Sequence, residues 1–78
     1  MSTKYIDNSG TVKKEGKKTE FTKHIDSSGR LSEDIYQPSD FDIVEYLGSN
    51  GDIEFFRAKD NNSNNWSFYT GTKGNEFD

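Results

Sequence analysis

The feature that most constrains this chain is a turn that recurs along it. One copy reads Lys4-Tyr5-Ile6-Asp7-Asn8-Ser9-Gly10-Thr11-Val12, and a second reads Lys23-His24-Ile25-Asp26-Ser27-Ser28-Gly29-Arg30-Leu31. A third is Tyr46-Leu47-Gly48-Ser49-Asn50-Gly51-Asp52-Ile53, and a looser fourth, Phe68-Tyr69-Thr70-Gly71-Thr72-Lys73-Gly74, carries one extra residue. Asp, Asn and Ser hydrogen-bond their own backbone and start turns, and Gly supplies the positive φ that closes them. Each copy therefore predicts a β-hairpin, with the flanking aliphatic residues facing each other across the two strands. Gly10, Gly29, Gly51 and Gly74 are 19, 22 and 23 residues apart.

The pattern, an aromatic or His, an aliphatic, small polar residues, Gly, one variable residue and an aliphatic, resembles the bacterial variant of the MORN (membrane occupation and recognition nexus) repeat. Trp66-Ser67-Phe68-Tyr69 is similar to the aromatic strand entry of that repeat. Of the family's second Gly, between hairpins, only Gly16 is a match, and the first spacing is short. The resemblance implies a β-meander with a binding role, not an activity.

Period-2 alternation between the turns predicts strands. The expected architecture is a mainly β, single domain over residues 1–78, a small antiparallel sheet built as a hairpin meander. Its apolar face would carry Phe21, Ile25, Leu31, Ile35, Ile53, Phe55, Trp66 and Phe68, leaving the other face charged and wet. The alternative is α+β, with one short helix at about 39–47 packed on the sheet. Ser39 is a suitable N-cap, Asp40 and Asp42 suit the positive end of the dipole, and Gly48 sits where a helix stops. In that case the third hairpin copy is a coincidence. Residues 72–78 hold Phe77 as their only core former, so a frayed tail is expected there.

Composition narrows the class. The chain has 78 residues, no Cys and a net charge of -4. Ile, Val, Leu and Phe together make up 15 of the 78, close to the disordered range, but four Tyr and one Trp add apolar bulk to a modest net charge. No apolar run reaches the length of a membrane span. Met1 to Glu20 contains no apolar segment of a signal peptide, so a cytoplasmic protein with no membrane partner is expected.

Charge is segregated. Residues 1–25 carry six basic and three acidic groups, whereas residues 26–56 carry eight acidic groups and one Arg. From Leu31 to Phe56 there is no Lys, Arg or His. Such a stretch either keeps a small protein in solution or presents a negative field to a basic partner, with aromatics as anchors. Glu33, Asp34, Asp40, Asp42, Glu45, Tyr46 and Glu54 are the candidate partner-binding residues. The functional expectation is a small non-enzymatic inhibitor, like immunity proteins or phage counter-defence proteins. It would block a protein partner with a basic surface, such as one that processes nucleic acid. A structural hairpin module that self-assembles through sheet edges is the first alternative. A nucleic-acid binder using Lys13, Lys14, Lys17 and Lys18, with Tyr5 and Phe21 stacking on bases, is the second; an acidic chain without a nucleic-acid motif makes direct binding the weaker reading.

Catalysis finds little support. The one His, His24, aligns with Tyr5 and Tyr46 in the repeat and reads as an ordinary strand residue. Asp60, Asn62 and Asn64 match three positions of a calcium loop, but Asn65 and Gly71 stand where its Gly and bidentate Glu belong. No catalytic residue, cofactor or metal is therefore expected.

Overall fold

β-branched and aromatic residues between Gly- and Asn-rich turns favour extended backbone, and strands dominate. The computed structural model describes residues 3–7, 10–11, 18–33 and 35–77. Its strands are β1 (Lys4–Asp7), β2 (Gly10–Thr11), β3 (Glu20–Ile25), β4 (Leu31–Ser32), β5 (Ile43–Asn50), β6 (Ile53–Lys59) and β7 (Ser67–Thr72). They form one sheet in the order β2-β1-β5-β6-β7-β3-β4. The mainly β expectation holds, and most pairings are antiparallel. The order is not that of a simple meander, however, because β1 pairs with β5 in parallel.

Three of the four repeated turns sit at hairpins. β1 pairs with β2 through Asp7 and Gly10. The second copy joins β3 to β4 and sets Ile25 opposite Leu31, as the pattern predicts. The third joins β5 to β6, with Asn50 opposite Ile53 and Gly51 at φ 68°, the conformation its two-residue turn demands. This hairpin decides the ambiguous 39–47 segment. Only Pro38–Asp40 is helical, as a single 3-10 turn, and Ile43–Asn50 is strand. The cross-strand partners on β6 outweigh the local capping signals that favoured a helix. The fourth copy is not a hairpin: its first half is β7, and a second 3-10 turn, Asn75–Phe77, follows.

The tail is a second correction. Phe77 is 1% exposed. Thr19 N–H donates to the Glu76 carboxylate at 2.7 Å, and Gly74 N–H donates to Thr19 Oγ1 at 2.9 Å. The residues expected to fray are held by one buried ring, by these hydrogen bonds with Thr19, and by a bond from Lys73 N–H to Glu54.

The buried face is not the one the alternation suggests. Phe21, Val44, Phe56, Ala58, Tyr69 and Phe77 form the core, with Tyr5, Ile35, Phe41 and Tyr46 packed against it. Phe21 and Tyr69 stack at 4.3 Å between ring centroids. Two segments outside the strands, 35–42 and 73–77, supply Ile35, Phe41 and Phe77 as its cover. By register, Ile25, Leu31, Ile53, Phe55 and Phe68 point to the opposite face, which no other element covers among the described residues. Of the eight residues expected to share the core face, Phe21 lies in the core and Ile35 packs on it. The expected wet face is therefore the packed one, and the uncovered face is largely apolar.

Candidate protein-binding surface

The segment from Ile35 to Asp42 crosses the core face as irregular chain, and its own polar groups fix its shape. Gln37 N–H donates to Asp40 Oδ2 at 2.9 Å, while Asp40 N–H donates to the Gln37 carbonyl at 2.9 Å. Pro38 is buried. Thr3 Oγ1 donates to the Phe41 carbonyl at 2.7 Å, and Lys4 N–H to the Asp42 carbonyl at 2.8 Å. Asn61 N–H donates to Asp42 Oδ2 at 2.8 Å, tying in the polar 60–65 loop. Phe41 turns inward, 6.4 Å from Phe21 and 5.7 Å from Tyr69. Tyr36 stands edge-on to Phe41 and is 66% exposed.

An exposed aromatic ring and two carboxylates thus share one pinned segment. Each carboxylate uses one oxygen internally. Its remaining lone pairs can accept from a partner, since an ionised carboxylate has about four acceptor sites. Beneath them, burial raises the Tyr69 hydroxyl above the usual phenol range.

The other candidate residues divide into separate places. Glu33 is exposed and bonds Lys23 Nζ at 2.8 Å; that hydrogen bond, then the Lys23 charge, holds its carboxyl below the usual range. Asp34 lies outside the described residues. Glu45 is on the uncovered face, ion-paired with Arg57, whose guanidinium lies 4.0 Å over the Trp66 ring. Tyr46 and Glu54 belong to the packed face. The Tyr46 hydroxyl donates to Glu54 Oε1 at 3.2 Å, Lys73 N–H donates to Glu54 Oε2 at 2.8 Å, and Lys73 Nζ lies 4.8 Å over the Tyr46 ring. Of the candidates among the described residues, only Asp40 and Asp42 share a segment with a strongly exposed aromatic. That aromatic, Tyr36, is not one of the seven, but with Phe41, Tyr46 and Phe56 it is among the rings that the sequence sets beside the acidic residues as anchors.

The base-stacking reading loses one of its two rings. Phe21 is 2% exposed and offers no face to a base, while Tyr5 is half-buried and packs edge-on to Phe77 at 5.5 Å. Lys13, Lys14 and Lys17 lie outside the described residues. His24 is half-buried in β3, with its ring 5.1 Å from Tyr69.

Open depressions mark the surface formed by the described residues. One, about 460 Å³, lies between Tyr5, Lys18, Thr19, Gln37, Pro38 and Glu76. Another, about 490 Å³, lies on the uncovered face between Leu31, Asp52, Ile53, Phe55 and Thr70. Among the described residues no three His or carboxylate groups converge as a metal site, and no helix is long and apolar enough to cross a membrane.

Comparison with protein-family models, with curated proteins and with solved structures finds no match in any of the three. The likeness to the hairpin repeat therefore stands on the turn residues alone.

Proposed function

We propose that this chain is a small non-enzymatic protein that binds one protein partner and blocks it, through the segment carrying Tyr36, Asp40 and Asp42. The observation that carries the reading is the exposure of Tyr36 on the same segment as two carboxylates, a segment pinned to β1, to β3 through the Gln37 side chain on the Phe21 backbone, and to the 60–65 loop. A pre-ordered contact segment loses little conformational freedom on binding, and Tyr is enriched among residues that dominate interface energy. The absence of any Lys, Arg or His between Leu31 and Phe56 suits a partner with a basic surface. Charge of this kind speeds encounter more than it tightens the final complex. Basic channels of nucleic-acid-processing proteins are one such surface. Blocking a partner in the cytosol is also how immunity and phage counter-defence proteins act.

The test begins with affinity capture from the native host, read by mass spectrometry. Against the captured partner, Tyr36→Ala weakens binding at least 10-fold, as for an anchor residue. Asp40→Lys with Asp42→Lys slows association and reverses its dependence on salt. Unchanged affinity and association rate in both variants, with far-ultraviolet dichroism intact, rejects this surface.

A further inference from the structure

The uncovered face of the sheet is too apolar and too regular to be explained by the Tyr36 surface on the other side. Leu31, Ile53 and Phe68 are 61%, 51% and 41% exposed, and Ile25 and Phe55 lie between them half-covered. A contiguous apolar surface on a small protein marks a place where something docks. Its occupant is argued from the arrangement of charge.

The middle of the face is already neutral. Lys23 pairs with Glu33, and Arg57 pairs with Glu45. The ends are not. Lys59 closes β6, and Lys4 lies beside Ile43, the residue opposite Lys59, so both cations stand at one end. Asp52, in the turn before β6, lines the depression at the other end; Glu20, opposite Thr72, stands at that end as well. The face is therefore basic at one end, acidic at the other and apolar between. A two-fold axis parallel to the sheet, lying between two copies and running across the strands, lays each acidic end over the other copy's basic end. Such an isologous contact is self-complementary and closed.

Size agrees. The molecule spans 33 × 33 Å in its broad plane and only 19 Å across. The face thus offers at most roughly 1,000 Å², against about 800 Å² per partner in a standard stable interface. Two such sheets packed about 10 Å apart, with strands aligned within about 30°, make a β-sandwich core.

We propose that the uncovered face is a dimer interface, and that its occupant is a second copy of this chain packed face to face and end for end. The proposal is independent of the partner-binding reading, since the Tyr36 segment lies on the opposite side of the sheet and stays exposed in the dimer.

Sedimentation equilibrium of the full chain tests it. At roughly 100 µM, within the range expected for interfaces of this size, the mass is that of two 8.9 kDa chains. Ile53→Glu gives a monomer with unchanged far-ultraviolet dichroism. Asp52→Lys and Lys59→Asp each weaken the dimer about 10-fold or more, and the double variant restores it. Asp40→Lys with Asp42→Lys leaves the mass at two chains. A monomeric wild type at that concentration overturns the proposal and leaves the face to a different macromolecule. So does a dimer unmoved by Ile53→Glu in a folded variant. Failure of the double variant to restore association overturns the end-for-end arrangement.

Discussion

The side-chain amide of Gln37 closes the backbone of Phe21 from both sides. Phe21 N–H donates to Gln37 Oε1 at 3.0 Å, and Gln37 Nε2 donates to the Phe21 carbonyl at 3.1 Å. β4 covers β3 only at His24 and Ile25, so Phe21 would otherwise present an open sheet edge. An unpaired edge is a template for pairing with another chain. One side chain here stands in for a strand and pins the Tyr36 segment to the sheet.

Replacing Gln37 with Met, of similar length, leaves both backbone groups of Phe21 without a partner. An unsatisfied buried group costs about 1–3 kcal/mol. Urea denaturation should show a loss in that range, and aggregation during refolding should rise as the edge opens. An unchanged midpoint would show that water satisfies Phe21 equally well.

Phe77 contradicts its place near the chain end. It meets Tyr5, Tyr46 and Phe56 at ring distances of 5.5, 5.8 and 5.8 Å. Phe77→Ala should cost about 3–5 kcal/mol. Domains carry only about 0.05–0.15 kcal/mol per residue of stability, so the loss is a large fraction of what a chain this short has. A melting transition little changed from wild type would mean that the ring is dispensable.

Gly71 is required by close approach rather than by its φ. A Cβ added there would lie 2.0 Å from the Glu20 carbonyl oxygen and 2.9 Å from the Phe21 Cα. Both are backbone atoms and cannot swing aside. Gly71→Ala must push β3 from β7, with a penalty of about 1–3 kcal/mol as for other overpacked sites. Hydrogen exchange should quicken in β3 and β7 first; protection equal to wild type in both strands would count against the contact.

Stability should fall at alkaline pH through Tyr5. Burial, then the charge of Glu76 and the hydrogen bond to it, push the Tyr5 hydroxyl up to about 12 from 10.0. The folded state holds this proton more tightly than the unfolded chain does. Its contribution is therefore complete below pH 10 and is lost as pH rises towards 12. Tyr5→Phe should flatten that limb of the stability profile. Burial raises Tyr69 in the same direction, so some slope persists. At the acid end the sign reverses. The Ser28 hydroxyl and the Arg30 N–H lower the Asp26 carboxyl, so its contribution is present above its unfolded value and lost as pH falls through the folded one. Asp26→Asn should remove that small acid-side step.

Turn chemistry was legible in the sequence because it is local. Asp26 organises its own loop, accepting from Ser28 and Arg30 within four residues, and Gly51 needs only its own φ to reverse the chain. β-branched and aromatic residues likewise announced strands, and the acid-rich stretch announced the Asp40–Asp42 pair. The face that packs was not legible. β6 reads Ile53-Glu54-Phe55-Phe56-Arg57-Ala58, with apolar residues on both sides of the strand, so alternation alone cannot orient it. What orients it is the cover: Ile35, Phe41 and Phe77 arrive from segments with no period of their own and bury the side that holds Phe56 and Tyr69. Pairing with β6 and β1 turns 43–50 into a strand, and contacts with Thr19, Glu54 and the core rings fasten the tail. Local backbone preference is written in neighbouring residues, but the choice between two apolar faces depends on which one other parts of the chain can reach, and only tertiary packing decides that.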